Sequence, residues 1–253
     1  AVQGEFDAEG EELAVTLEGN GDAQLWIAPT GFSFGLFERG LSEGTVAVPA
    51  THPRLMAVGS SISRVEWKAI DGNTLSAGII DSDDLDGISS FSGCGPTVVG
   101  VPKPEIVAPG QFIASTMSAD ADPEVSSTGI FSAACPDESA SCLVVADQYA
   151  LSAGTSMASP VVAGAIALLF SQDPNLTQGR LTEILQQGAR RHLGPAADPV
   201  QAGPGGLDLI GAMAALAGED AAAGTPPDVT ASFWNLSSTY ARPDPNWPIE
   251  GVI

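Results

Sequence analysis

The tripeptide Gly154-Thr155-Ser156 runs directly into Met157-Ala158-Ser159-Pro160 and a long apolar stretch that ends near Ser171. A serine so placed lies at or near the amino end of a helix. There, unpaired backbone N–H groups and the positive end of the helix dipole favour a developing oxyanion, and small neighbours let a carbonyl approach. The chemistry suggested is acyl transfer, with Ser156 as nucleophile. The competing reading is a plain helix cap, the common role of a serine before a helix. On spacing alone the cap is the more economical reading.

A serine hydroxyl is a weak nucleophile until a base takes its proton, and that base needs an orienting carboxylate. The chain has two histidines. His52 precedes Pro53, which holds it in extended backbone. His192 follows Arg190 and Arg191 at an expected helix end, where cationic side chains suit the dipole. Both read as structural or solvated.

Asp81, Asp83, Asp84 and Asp86 crowd one loop before Gly87, the kind of oxygen-rich segment that Ca²⁺ uses. Their spacing does not fit an EF-hand, and a solvated acidic loop is the preferred reading. Cys135 and Cys142 bracket a short polar loop that a disulfide closes easily, whereas two thiols without further ligands make a poor zinc site. The expected disulfide favours an oxidising compartment. Cys94 remains, as a buried free thiol or bridged to a segment outside this sequence. Asn175-Leu176-Thr177 and Asn235-Leu236-Ser237 match the glycosylation acceptor pattern, which is too short to carry a function here.

The elements that must position these residues follow from periodicity and turn chemistry. Residues 1 to 44 read as β: Glu12 to Leu17 and Ala23 to Ile27 alternate around the turn Gly19-Asn20-Gly21-Asp22. From Thr45 to about Gly218 apolar strands alternate with helices, the pattern of a parallel sheet with helices on its faces. Strands are expected at Val46 to Val48, Met56 to Val58, Ile106 to Ala108 and Phe112 to Ser115. Met157 to Ser171, apolar nearly all round, reads as a buried helix. Thr177 can cap the next helix, with Leu181, Ile184 and Leu185 on one face, and a third is expected at about Leu209 to Leu216. After Gly218 an Ala/Gly/Pro linker leads to the strand-like Val229 to Trp234.

Composition bounds the partners. The formal net charge of −22 repels phosphate backbones and anionic lipid headgroups, so neither nucleic acid nor membrane is an expected partner. The most hydrophobic run, Val161 to Phe170, falls short of the ~18 to 20 residues that span a bilayer. Abundant glycine and proline fit turn-rich α/β or β architecture rather than an extended helical one.

One resemblance decides between cap and nucleophile. Gly154 to Gly164, GTSMASPVVAG, resembles the catalytic-serine signature of the subtilases, the subtilisin-like serine proteases of peptidase family S8. Val48-Pro49-Ala50-Thr51 with Met56 to Ser60 is similar to the family's PAT…VGA strand, and Ile88 to Thr97 to its FSxxGPT turn. Lys103 to Gly110, KPEIVAPG, is similar to KPDIxAPG. Together with Leu151 to Leu169, Pro174, Leu185 and Gly203 to Leu207, the likeness covers about residues 45 to 217.

The resemblance implies a three-layer α/β parallel-sheet fold, present in part and flanked by β-rich segments. It implies Ser156 as nucleophile, its own N–H in the oxyanion hole, and Thr155 supporting that hole through its hydroxyl. It implies protein or peptide substrates, no required cofactor, secretion or cell-surface location, and structural Ca²⁺ in many members at positions too variable to assign. Val161 stands where many relatives have His, and Cys94 where the turn usually has a polar residue; neither belongs to the catalytic set.

The family's D-[ST]-G, H-G-[TS]-x-V-A-G and AAGN segments do not occur in the sequence. The expectation is therefore that an amino-terminal segment of the same precursor supplies Asp, His and the oxyanion Asn, and that this chain alone is inactive. Residues 1 to 44 would then be part of an insertion within the protease domain, 45 to 218 its carboxy-terminal half, and 219 to 253 a linker and the first strands of a β-sandwich. A protease cut within the insertion accounts for such a piece, and so does a truncated sequence. Two other readings compete. An α/β-hydrolase nucleophile elbow would put His192 too soon after Ser156 for the usual strands. A catalytically inactive subtilase-like scaffold or binding module is permitted by the absent partners.

Overall fold

The computed structural model describes residues 42–76, 85–118, 140–146, 149–190 and 199–219, with a few positions near residue 20. The expected strands before residue 42, Asp81, Asp83, Asp84, Cys135, His192 and everything beyond 219 lie outside the described residues. The backbone divides into two compact units, Ala1–Gly40 and Leu41–Ile253, and the second holds all the elements that follow.

β1 (Val58–Ile62) and β4 (Ile106–Gln111) pair in parallel, Val58 opposite Ile106 and Ser60 opposite Ala108. Between them β2 (Glu66–Lys68) and β3 (Thr74–Ser76) form an antiparallel hairpin. β5 (Ile113–Thr116), β6 (Val144–Ala146) and β7 (Tyr149–Ser152) make an antiparallel sheet in the order β5-β7-β6. Among the described residues four helices follow: α1 (Thr155–Gln172), α2 (Gln178–Gly188), the short α3 (Pro199–Ala202) and α4 (Leu209–Ala217).

Alternation along β4 explains the packing. Ile106 and Ala108 point into one core with Ala158, Val162 and Leu169 of α1, Ile184 and Leu185 of α2 and Ala212 of α4. Val107, one residue out of phase, points to the other side against Ala202 of α3 and Ile88. A strand buried on both faces is what a parallel pair covered by helices requires. Among the described residues the parallel sheet consists of this pair plus isolated bridges, including Val107 with Gly206.

Three sequence expectations need correction. Val46 to Val48 is not a strand: Val48 is exposed and turns begin there, and the residues just before it are joined to the 88–97 turn by the bridge of Glu43 to Cys94 and the bonds of Thr45 with Cys94. The strand expected from Met56 begins at Val58. α1 is apolar on every side yet buries one face only, through Ala158, Val162, Ala165 and Leu169, while Val161 and Phe170 are exposed. By length and mean hydropathy, 1.3 over 18 residues, α1 would also suffice to cross a membrane, a longer apolar element than the run 161–170 suggested; its packing on β1 and β4 gives it the place of a core helix.

The later helices follow the sequence closely. Thr177 caps α2, its hydroxyl accepting from Arg180 N at 3.3 Å, and Leu181, Ile184 and Leu185 face the core. α2 and α4 meet backbone to backbone. A Cβ at Gly188 would overlap the backbone of Gly211 and Ala212, and one at Gly211 would overlap the Gly188 carbonyl. Gly188→Ala is therefore expected to destabilise the protein by about 1–3 kcal/mol as the helices separate. A urea midpoint unchanged from the parent would refute this close crossing.

Phe112 marks the passage from one sheet to the other. With φ 57° it breaks the extended run between β4 and β5, and its ring packs on Trp67 with centroids 4.7 Å apart. Trp67, Cys142, Leu143 and Leu151 form a second small core, in which Trp67 Nε1 donates to the Cys142 carbonyl at 2.7 Å. Cys94 is a buried free thiol.

Candidate active site at the start of α1

Gly154, not Ser156, occupies the cap of α1. Its φ of 153° is a conformation that side-chain-bearing residues rarely adopt, so the glycine is required for the chain to turn from β7 into the helix. No side chain caps this end. The plain cap reading of Ser156 therefore does not describe its place: it is the second helical residue, and it is exposed. Met157 N and Ala158 N turn to the Gly154 carbonyl at 2.9 and 3.4 Å. The amides of Thr155 and Ser156 fall in the first turn, where no carbonyl lies one turn back to accept them. Pro160 has no N–H, so the Ser156 carbonyl also lacks its usual donor four residues on.

β4 fixes this turn in space. Gly154 N donates to the Gly110 carbonyl at 2.8 Å, which ties the turn before Ser156 to the carboxyl end of the parallel pair. In open α/β sheets, ligands bind at the carboxyl ends of parallel strands. The arrangement offers an exposed hydroxyl, first-turn amides and the positive end of an 18-residue helix, which is what acyl transfer to serine uses.

At the opposite end of β4 the geometry is structural. Lys103, with no side-chain exposure, donates to the carbonyls of His52 and Leu55 at 3.1 and 2.5 Å and to Glu105 Oε1 at 2.6 Å. Glu105 Oε2 accepts from Ala57 N at 2.7 Å. His52 Nδ1 accepts from Arg54 N at 3.1 Å. His52 thus belongs to the loop at the amino ends of the strands, a strand's length of roughly 15–20 Å from the Ser156 end. It is not placed to serve as base for Ser156. A depression bordered by Pro53, Met56, Glu105 and Thr182 lies at this same end, away from Ser156.

Of the carboxylate loop, only Asp86 is among the described residues, and its Oδ1 accepts from Arg190 Nη2 at 3.0 Å. No cluster of three His, Cys, Asp or Glu able to hold a metal occurs among the described residues. Just beyond β1, burial lowers the pKa of Arg64 from its ordinary value. KPEIVAPG is legible as a segment, but nothing in its residue types shows that Gly110 and Lys103 anchor opposite ends of one strand, or which glycine touches which turn.

Comparison with known proteins decides the family. The Peptidase_S8 model, described as the Subtilase family, matches residues 7–212, well over half of the chain. The chain belongs to the subtilase family. Among curated proteins this subtilase is 34% identical over 165 residues to "Serine protease AprX" of Bacillus subtilis (strain 168), covering 65% of this chain and 31% of that one. It is also 34% identical over 157 residues to "Uncharacterized protein aq_aa18" of Aquifex aeolicus (strain VF5), covering 59% and 58% respectively. Among solved structures, the Clostridium perfringens CspB protease aligns at 26% identity with a TM-score of 0.46, over 71% of this chain and 30% of that one. The self-cleaved protease domain of PatA aligns at 21% identity with a TM-score of 0.42, over 71% and 48%. The chain spans less than two thirds of the length of each.

Proposed function

We propose that this subtilase chain is the nucleophile-bearing part of a serine endopeptidase, with Ser156 attacking the scissile carbonyl of a protein or peptide. The observation that carries this reading is the exposed Ser156 in the first turn of α1, behind a glycine cap and beside amides without helical acceptors. The tetrahedral oxyanion would be received by the Ser156 N–H, with the Thr155 hydroxyl in support. A general base must take the Ser156 proton and return it to the leaving amine. His52 is held at the other end of β4, and the family's D-[ST]-G, H-G-[TS]-x-V-A-G and AAGN segments do not occur in the sequence, so we assign base, orienting Asp and oxyanion Asn to an amino-terminal segment of the same precursor. That segment would also complete the three-layer sheet.

The reading includes an extracellular location with Cys135 paired to Cys142. Supporting the pair, Cys94 is free and Cys142 is not a free thiol. No cofactor is needed for the chemistry proposed, and structural Ca²⁺ at the Asp81 to Asp86 loop is left unassigned. The test is covalent: a serine-directed fluorophosphonate should label the full-length protein, and peptide mapping should place the adduct on Ser156. The isolated chain should react far more slowly, because its hydroxyl lacks the base. Labelling elsewhere, or equal labelling of the isolated chain, would overturn the assignment. An inactive scaffold would leave the full-length protein unlabelled.

A further inference from the structure

Three hydroxyls are buried beneath the turn that carries Ser156, and the proposed chemistry leaves them unused. Ser60 and Ser89 have no exposure and Ser92 has 4%. Ser60 Oγ and Ser89 Oγ share a hydrogen bond of 2.9 Å, and Ser92 Oγ accepts from Ser60 N at 3.0 Å. Backbone bonds close the cluster: Ser89 N donates to the Ser60 carbonyl at 2.9 Å and Ser92 N to the Ser89 carbonyl at 2.8 Å. A buried hydroxyl is unfavourable unless it is paired, and a methyl would fill the same space without that demand. What the paired hydroxyls add is direction: they lock β1 to the loop 88–92 and aim Ser60 Oγ at Gly110.

Gly110 is clamped between this cluster and the helix start. A Cβ there would overlap Ser60 Oγ and lie 2.8 Å from the Gly154 carbonyl oxygen and 3.0 Å from Ala158 Cβ. Its own carbonyl accepts from Gly154 N at 2.8 Å. Contact therefore runs without a gap from Ser89 and Ser92 through Ser60 and Gly110 to Gly154, two residues before Ser156. We propose that Gly110, seated on the buried Ser60–Ser89–Ser92 cluster, is a positioning residue for the nucleophile, fixing the height of the Gly154 turn and thereby the aim of the Ser156 hydroxyl and the first-turn amides. This rests on the reading of Ser156 as the nucleophile. Close-packed interiors transmit displacements of this kind, and a shift of ~1 Å in a reacting group costs up to about 10²-fold in rate.

The experiment compares labelling rate with stability in the full-length protein. Gly110→Ala should lower Tm and slow fluorophosphonate labelling of Ser156 roughly 10- to 100-fold at a temperature where the variant is folded. Adding Ser60→Ala removes the nearest obstacle to the new methyl but leaves the Gly154 oxygen in its way. The double variant should recover Tm at most in part, since the Gly154 oxygen still crowds the methyl and the Ser89 hydroxyl loses its Ser60 partner, while its labelling stays slow. Recovery of rate together with Tm, or parent-like labelling of Gly110→Ala alone, would overturn the proposal by reducing Gly110 to a packing site. The native protein supplies a test that needs no variant to fold. Hydrogen exchange at the Gly154 amide should be as slow as at the β4 amides, and fast exchange there with α1 intact would overturn it. If the parent protein takes no label on Ser156, the nucleophile reading fails, while the exchange rate still reports on the clamp.

Discussion

Replacing Ser156 by alanine is expected to remove fluorophosphonate labelling and to lower peptide hydrolysis by the full-length protein by about three to six orders of magnitude, with Tm moving by no more than about 2 °C. The size of the kinetic effect follows from the unit formed by nucleophile and base: without the hydroxyl, covalent catalysis is lost, and what remains is substrate binding and oxyanion stabilisation. The small thermal effect follows from position. Ser156 is exposed, Gly154 rather than Ser156 caps α1, and the buried face of the helix is carried by Ala158, Val162, Ala165 and Leu169. Exposed substitutions away from caps and cores are usually worth within about 0.5 kcal/mol. Steady-state hydrolysis beside a thermal melt checks both halves. Unchanged turnover would show that another residue is the nucleophile, and a large fall in Tm would show that the hydroxyl has a structural partner.

Lys103→Met is expected to destabilise the protein by about 3–5 kcal/mol, read as a fall in the urea midpoint. A buried ion pair is weak evidence of net stability, because two desolvation penalties oppose the attraction; removing one partner is a different matter. Here the loss of one ammonium leaves the carbonyls of His52 and Leu55 without their Lys103 donor and a Glu105 carboxylate, 15% exposed, without its cation. Methionine has the length of the lysine stem but no donor. Lys103→Met with Glu105→Gln should recover part of the loss, since an amide carries no charge and can still accept from Ala57 N. Ser156 labelling per folded molecule should not change, as the pair lies at the far end of β4. A loss below about 1 kcal/mol for Lys103→Met would show that water or a rearranged loop satisfies these groups.

The chemistry-bearing turn was largely legible in the chain. A glycine, small residues and a serine before a continuous apolar run imply a sharp entry into a core helix, and the structure places α1 at Thr155–Gln172. α2 was legible for a similar reason, because Thr177 is a local cap and Leu181, Ile184 and Leu185 recur at helical spacing. Val46 to Val48 misled because three apolar residues fit a strand by composition, while pairing needs a neighbour: here Pro49 follows, turns begin, and Val48 is left 83% exposed. The exit from β4 at Phe112 was not legible either. A phenylalanine with positive φ is held there by packing on Trp67, a residue far away in sequence.

By itself the sequence determined where α1 and α2 run, which serine heads the apolar helix, and, through GTSMASPVVAG and KPEIVAPG, the family resemblance later met by the Subtilase match. These are local properties: capping, periodicity and short segments act over a few residues. The tertiary structure alone decided which face of an all-apolar α1 is buried, since composition offers every face equally and only the placement of β1 and β4 selects one. It also decided that His52 stands at the strand end opposite Ser156, and that Gly110 carries the Gly154 turn while Lys103 anchors the other end. Parallel pairing of β1 with β4, across the long stretch of chain between them, sets which residues share an end of the sheet, and no local spacing encodes that pairing.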